Sequence, residues 1–135
     1  SRLKIASDAA RAAYRGQAPN LLKACGTDMS NITSGKLAAA VEAGDVEIEN
    51  IIIRSATLLG CGVATVIHLL SPDKIVLGGG LVEAMPDLFL RTVRESTADR
   101  TMPAYAGTYE ILAAELEDDA GVLGCIAWAR KMIEG

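Results

Sequence analysis

Residues 73–80 read Asp-Lys-Ile-Val-Leu-Gly-Gly-Gly, and no other stretch constrains the fold as tightly. Pro72 stops the helix that precedes it. Ile75, Val76 and Leu77 form the short apolar run expected of a strand buried on both faces. Three glycines follow at once, and a helical pattern resumes near Pro86. A strand that ends in Gly78-Gly79-Gly80 ahead of a helix lets backbone approach a ligand with no side chain between them.

On the N-terminal side of that strand the pattern is helical. Alanines at 6, 9, 10 and 13, with Leu3 and Tyr14, predict a small-residue stripe on a helix over 3–15. Gly16 stops it. Residues 16–32 are mostly irregular, apart from a short helix opened by Pro19 and closed by Gly26. Thr33 or Ser34 caps a helix over 35–43, and Asp45 is placed to cap the next one. That next helix spans about 46–70. Its apolar residues, among them Ile48, Ile52, Leu58, Leu59, Val66 and Leu70, cover more than one face, which predicts burial on at least two sides. Gly60 and Gly62 inside it predict a notch where another backbone packs close.

Beyond the glycines the pattern is helix 86–98, strand 108–113 and helix 120–134, the last with Val122, Leu123, Ile126, Trp128 or Ala129, and Met132 facing inward. The chain thus divides into a helical portion, 1–70, and a βαβα portion, 71–135, of one domain fragment. The two strands are expected to be parallel with a right-handed crossover. Two strands do not make a sheet that can hold a core of this size, so the sheet is expected to continue in residues outside this chain.

Composition supports that view. Of 135 residues, 50% are hydrophobic and mean hydropathy is +0.28, with alanine contributing much of the excess. Some apolar surface is therefore expected to meet a partner. The 13 basic residues are scattered through a chain of net charge −4, which lacks the basic patch of a nucleic-acid binder. Cys25, Cys61 and Cys125 form no Cys-x-x-Cys pair and read as free thiols of a reducing compartment, hence cytoplasmic. No stretch is expected to span a membrane, and no secretory leader is recognised. The opening Ser1-Arg2-Leu3-Lys4, without Met, suggests a processed or cut chain, or equally the simple removal of an initiator Met.

The glycine triplet is the best candidate for chemistry: a turn, or a nucleotide contact where Cβ atoms would block ribose or phosphate. It is not the dinucleotide fingerprint, because Glu83 occupies the third glycine position, nor a phosphate loop, because no Lys follows. Glu115, Glu117, Asp118 and Asp119 could serve as acid, base or metal ligands; the plainer reading is an acidic helix start favoured by the dipole. Gly121 and Gly124 let the last helix approach a neighbour. His68 stands alone near the end of the long helix, where a charged imidazole would be stabilised.

Three stretches taken together resemble one family. Thr33–Asp45 (Thr-Ser-Gly-Lys-Leu-Ala-Ala-Ala-Val-Glu-Ala-Gly-Asp), Leu59–Gly80 and Leu116–Gly124 (Leu-Glu-Asp-Asp-Ala-Gly-Val-Leu-Gly) are similar in residues, order and spacing to the ROK family of sugar kinases and sugar-responsive repressors. The resemblance spans nearly the whole chain but only the C-terminal half of a typical member. It implies an α/β fold, the C-terminal portion of an actin-like ATPase (ribonuclease H-like) lobe, helix-rich with two parallel strands present and with three earlier strands of the lobe preceding it.

By the same resemblance, Gly78, Gly79 and Gly80 lie against the adenosine side of ATP. Asp119 and Gly121 sit close by as possible cleft-lining residues, and the last helix packs on the strand. The parent is implied to be a cytoplasmic, glucokinase-like sugar kinase, a homodimer that moves the γ-phosphoryl group of ATP, with Mg²⁺, onto a hexose hydroxyl by in-line transfer. The family's phosphate motif, its Asn-Asp pair carrying the base, its zinc motif and its sugar-binding Glu are not found in these residues. The chain would therefore hold no catalytic residue and no zinc ligand, and would be inactive without the N-terminal half. Two rivals remain: a sugar-sensing or dimerisation part of a ROK-type repressor, and a free-standing binding module.

Overall fold

The computed structural model describes residues 2–116 and 119–134. In chain order these form α1 (Arg2–Tyr14), α2 (Pro19–Cys25), a 3₁₀ turn (Met29–Asn31), α3 (Ser34–Glu42) and α4 (Val46–Leu70). There follow β1 (Lys74–Leu77), α5 (Gly80–Ala84), α6 (Pro86–Ala98), a second 3₁₀ turn (Pro103–Tyr105), β2 (Glu110–Ala113) and α7 (Ala120–Glu134).

The core is built on α4, whose buried face packs along α6 and against α1. The α1 contribution is a stripe of small residues, Ala6, Ala9, Ala12 and Ala13, with Ile5. Leu3 and Tyr14 were expected on this stripe but are exposed. At 100° per residue they lie roughly 120° and 140° around the helix from Ala9. Against α6, Gly60 is the point of closest approach. A Cβ there would sit 2.6 Å from Ser96 Cβ and 2.9 Å from the Val93 carbonyl oxygen. The Ser96 hydroxyl donates to the Thr57 carbonyl at 2.8 Å and the buried Thr97 hydroxyl to the Gly60 carbonyl. Gly62 was expected in the same notch, but it points into open space.

The predicted burial of α4 on two sides is also corrected. Ile48, Ile52, Ala56, Gly60, Val63 and Ile67 are buried, whereas Leu58 is 72% exposed and Val66, Leu69 and Leu70 are open as well. By length and composition alone α4 could cross a bilayer, which the sequence reading did not anticipate; in this fold it is the core helix. It ends at Ser71, a left-handed residue (φ 47°, ψ 50°) whose N–H donates to the Ile67 carbonyl, and Pro72 prevents continuation.

Asp45 does a different job from the one its position suggests. It stands at the N-cap of α4 but its side chain makes no bond to that helix. Instead the carboxylate, 2% exposed, accepts from the backbone N–H groups of Asn20 (3.3 Å) and Leu21 (2.9 Å) and from Asn20 Nδ2 (2.8 Å). It thereby satisfies the first turn of α2, whose own cap residue, Ala18, has no side-chain acceptor. Thr33 caps α3, accepting from the Lys36 N–H.

The sheet is β1 and β2, parallel, in register Lys74↔Glu110 through Leu77↔Ala113. Its flanking bonds run from Glu110 N–H to the Asp73 carbonyl and from Ala114 N–H to the Leu77 carbonyl. In a parallel ladder alternate residues face alternate edges, so Ile111 of β2 and Lys74 and Val76 of β1 turn their backbone groups outward. On the β2 side, Arg94 Nε and Nη2 both donate to the Ile111 carbonyl, at 3.0 and 2.6 Å. No corresponding bond covers β1 among the described residues. The expectation of a strand buried on both faces fails here: Ile75 and Leu77 are half-buried and Val76 is 61% exposed. Helices of this chain cover one face only.

Two further differences concern helices. The five-residue α5 starts directly at Gly80, ahead of the predicted resumption at Pro86; Met85 (φ −142°) separates it from α6, as the residue before a proline tends to. The predicted inward face of α7 is exposed throughout, Trp128 by 64%, and Val122, Leu123, Ile126, Ala129 and Met132 are open too. The last helix therefore does not bury its apolar face on the strand.

Candidate nucleotide site

The C-terminal end of β1 opens onto a cavity of about 250 Å³. Each glycine of the triplet contributes for a different reason. Gly78 passes beside β2, where a Cβ would meet the Ala114 Cβ at 3.2 Å. Gly79 takes φ +106°, which L side chains rarely adopt, and turns the chain into α5. Gly80 lies against α3, and a Cβ there would be 2.7 Å from Ser34 Oγ. Leu37 of α3, Leu59 of α4 and Phe89 of α6 form much of the apolar wall, and Arg2 and Ser34 supply the polar side chains. A shallower groove continues from the mouth past Thr33, Gly35, Gly80 and Glu83.

The sequence identified the glycines but missed their opposite wall. Thr33-Ser34-Gly35 carried a signal, since short side chains at a helix start permit close approach, yet they were read only as a cap. Asp119 and Gly121 do not line this cavity. Both are exposed; the Asp119 N–H donates to the Leu116 carbonyl, and nothing lies within 4 Å of a Cβ placed on Gly121. Of the proposed carboxylate cluster, Glu117 and Asp118 fall outside the described residues. Among the described residues no group of three His, Cys, Asp or Glu side chains could hold a metal ion.

The other titratable groups noted from sequence serve packing. His68 Nε2 accepts from the Met102 N–H at 3.0 Å, and its ring tilts against Tyr105. Burial pushes the Cys25 thiol above its ordinary range, as suits an inert free thiol, and all three cysteines are unpaired. The Ser30 N–H and hydroxyl hold the exposed Asp28 carboxyl below its ordinary range.

The two parallel strands, the glycine turn and the long helix match part of a ROK family glucokinase, a lobe of the actin-like ATPase fold. A crystal structure of a ROK family glucokinase from Streptomyces griseus, in complex with glucose and AMPPNP, superposes with a TM-score of 0.82 at 24% identity, over 97% of this chain and 43% of that one. The ROK family model matches residues 4–132, and the chain belongs to that family. A glucokinase of Thermotoga maritima is 38% identical over 82 residues, which are 61% of this chain and 26% of that protein. A xylose repressor of Caldicellulosiruptor bescii is 29% identical over 100 residues, 74% of this chain and 25% of that protein. The chain thus spans about a quarter of the length of these curated relatives.

Proposed function

We propose that this chain is the nucleotide-side portion of an ATP-dependent, glucokinase-like sugar kinase. The observation that carries the reading is the glycine triplet, which walls a cavity at the strand end in a fold shared with a glucokinase solved with AMPPNP. In this reading the cavity takes the adenosine side of ATP. Gly79 and Gly80 keep the wall free of Cβ atoms. The parent protein transfers the γ-phosphoryl group to a hexose hydroxyl, acts in the cytoplasm and forms a homodimer. The described residues do not fit a Mg²⁺ site, since Glu83 is the one carboxylate along the cavity and its groove. No step is therefore assigned to the metal here, and no residue of this chain is assigned as catalytic.

The sheet edges support the view that the remainder of the lobe belongs beside β1. Arg94 covers the Ile111 carbonyl on the β2 edge, while the outward groups of Lys74 and Val76 on the β1 edge have no such cover among the described residues. Hexose phosphorylation measured on this chain with ATP and Mg²⁺ is expected to show no turnover, and binding of ATP is expected to be lost in Gly79→Val. Turnover would show that the catalytic residues have been misplaced. Unchanged ATP binding in Gly79→Val would make the triplet a turn only.

The similarity to xylose repressors favours a second reading, in which this portion belongs to a sugar-sensing or dimerising part of a repressor. Failure of ATP to bind, together with binding of a free sugar by the intact parent, would favour it.

A further inference from the structure

Resting on the nucleotide reading above, we infer that Arg2 holds the phosphate chain of a nucleotide whose base fills the cavity. Arg2 opens α1, and its side chain lines both the cavity and the groove that leaves it. Ser34 and Gly80 are shared in the same way, so the two depressions meet at these three residues. The cavity side of that junction is apolar, with Ile5, Leu37, Leu59 and Phe89. The groove side is polar, with Thr33, Ser34 and Glu83. A ligand that is flat and apolar-faced at one end and anionic at the other fits this division.

The charge on Arg2 is not used inside the described fold. On the same helix Lys4 and Arg11 are both held by the Asp8 carboxylate. Arg2 is exposed and has no ion pair or hydrogen bond to a described residue, Glu83 of the same groove included. A guanidinium presents paired, planar donors that match two phosphate oxygens at once. The Thr33 and Ser34 hydroxyls can add neutral donors to the same chain. Glu83 acts in opposition, since a carboxylate in the groove repels phosphate.

Size points the same way. The cavity, about 250 Å³, is below the roughly 300 Å³ lower bound of pockets that enclose a whole drug-sized ligand. It suits a base and leaves the phosphates outside it, where the groove begins beside Arg2. The role is one of binding, since a guanidinium stays charged and moves no proton. Affinity should therefore depend on how many phosphates the ligand carries, and through Arg2.

The test titrates the 135-residue chain with adenosine, AMP, ADP and ATP, each to millimolar concentration and without Mg²⁺. Binding is followed by NMR and calorimetry. Arg2→Gln, Arg2→Lys and Glu83→Gln are titrated alongside; both positions are exposed, and circular dichroism checks that each variant is folded. Affinity is expected to rise from adenosine to ATP by about tenfold or more in the unaltered chain. Arg2→Gln should remove most of that rise and leave adenosine unchanged. Arg2→Lys should restore part of it, because lysine keeps the charge without the paired donors. Glu83→Gln should steepen it. Equal affinity for adenosine and ATP, or a rise that survives in Arg2→Gln, would overturn the role of Arg2 and leave the nucleotide reading standing. A loss in Arg2→Gln that falls equally on adenosine would place the guanidinium at the base and overturn it too. Binding of none of the four ligands would overturn the two together.

Discussion

The two faces of α4 carry the same kinds of residue and have opposite fates. On one face Ile48, Ile52, Gly60 and Ile67 disappear against α1 and α6; on the other Leu58, Gly62, Val66 and Leu69 are left largely open. The same contrast separates the two ends of the molecule. The α1–α4–α6 end is closed, whereas β1 and α7 expose Val76, Ile126, Trp128 and Met132. An apolar helix face records that a partner exists without saying on which chain it lies.

That contrast can be broken by paired substitutions. The largest effect is expected within the closed face: Ile52→Ala should cost about 3–4 kcal/mol, against within about 0.5 kcal/mol for Leu58→Ala on the open face. Urea unfolding of both variants measures the difference, and equal losses would mean that Leu58 is packed in solution. Asp45→Ala comes next, at about 2–3 kcal/mol, because the first turn of α2 loses its only side-chain acceptor and its N–H groups remain desolvated. Fraying of α2 should appear as faster amide exchange at Asn20 and Leu21.

The two glycines of α4 should then differ in sign. Gly60→Ala drives a methyl against the Val93 carbonyl and Ser96 and should destabilise by about 1–3 kcal/mol. Gly62→Ala meets open space in a helix interior and should stabilise by about 0.5–1 kcal/mol. Thermal melts decide; destabilisation at Gly62 would reveal a neighbour packed on the open face. The smallest effect concerns Asp8, whose carboxyl is held below its ordinary range first by its hydrogen bond to Lys4, then by the charges of Lys4, Arg11 and Arg54. A carboxyl lowered in the folded state stabilises above its unfolded pKa, and this is lost as pH falls through the folded value. Asp8→Asn should therefore be slightly less stable at neutral pH and lose less on acidification; an unchanged acid limb would show that the pair contributes nothing.

Much of this was legible from the chain. Pro72 and the glycines bracketed β1, and the bounds of α4 follow from Asp45 and Pro72. Parallel pairing of the strands followed from the intervening helix. What periodicity could not supply was the direction of each apolar face where two faces were both apolar, as in α1, α4 and α7. Nor could it supply contacts between residues distant in sequence. Asp45 looked like a local cap and reaches 24 residues back to Leu21; Ser34 looked like a helix start and forms the wall opposite Gly80. The triplet was found because glycines mark close approach, but what approaches them was visible only once the chain had folded.

The Arg94 guanidinium, doubly bonded to the Ile111 carbonyl, also bears on how this chain behaves at high concentration. A strand edge with free carbonyl and N–H groups is a template on which other chains accumulate. With the β2 edge partly covered by a charged side chain, self-association through the sheet is favoured along β1. There each added chain would present its own partly covered edge or consume the more open one. Edge pairing should then end at a pair rather than grow into a fibre.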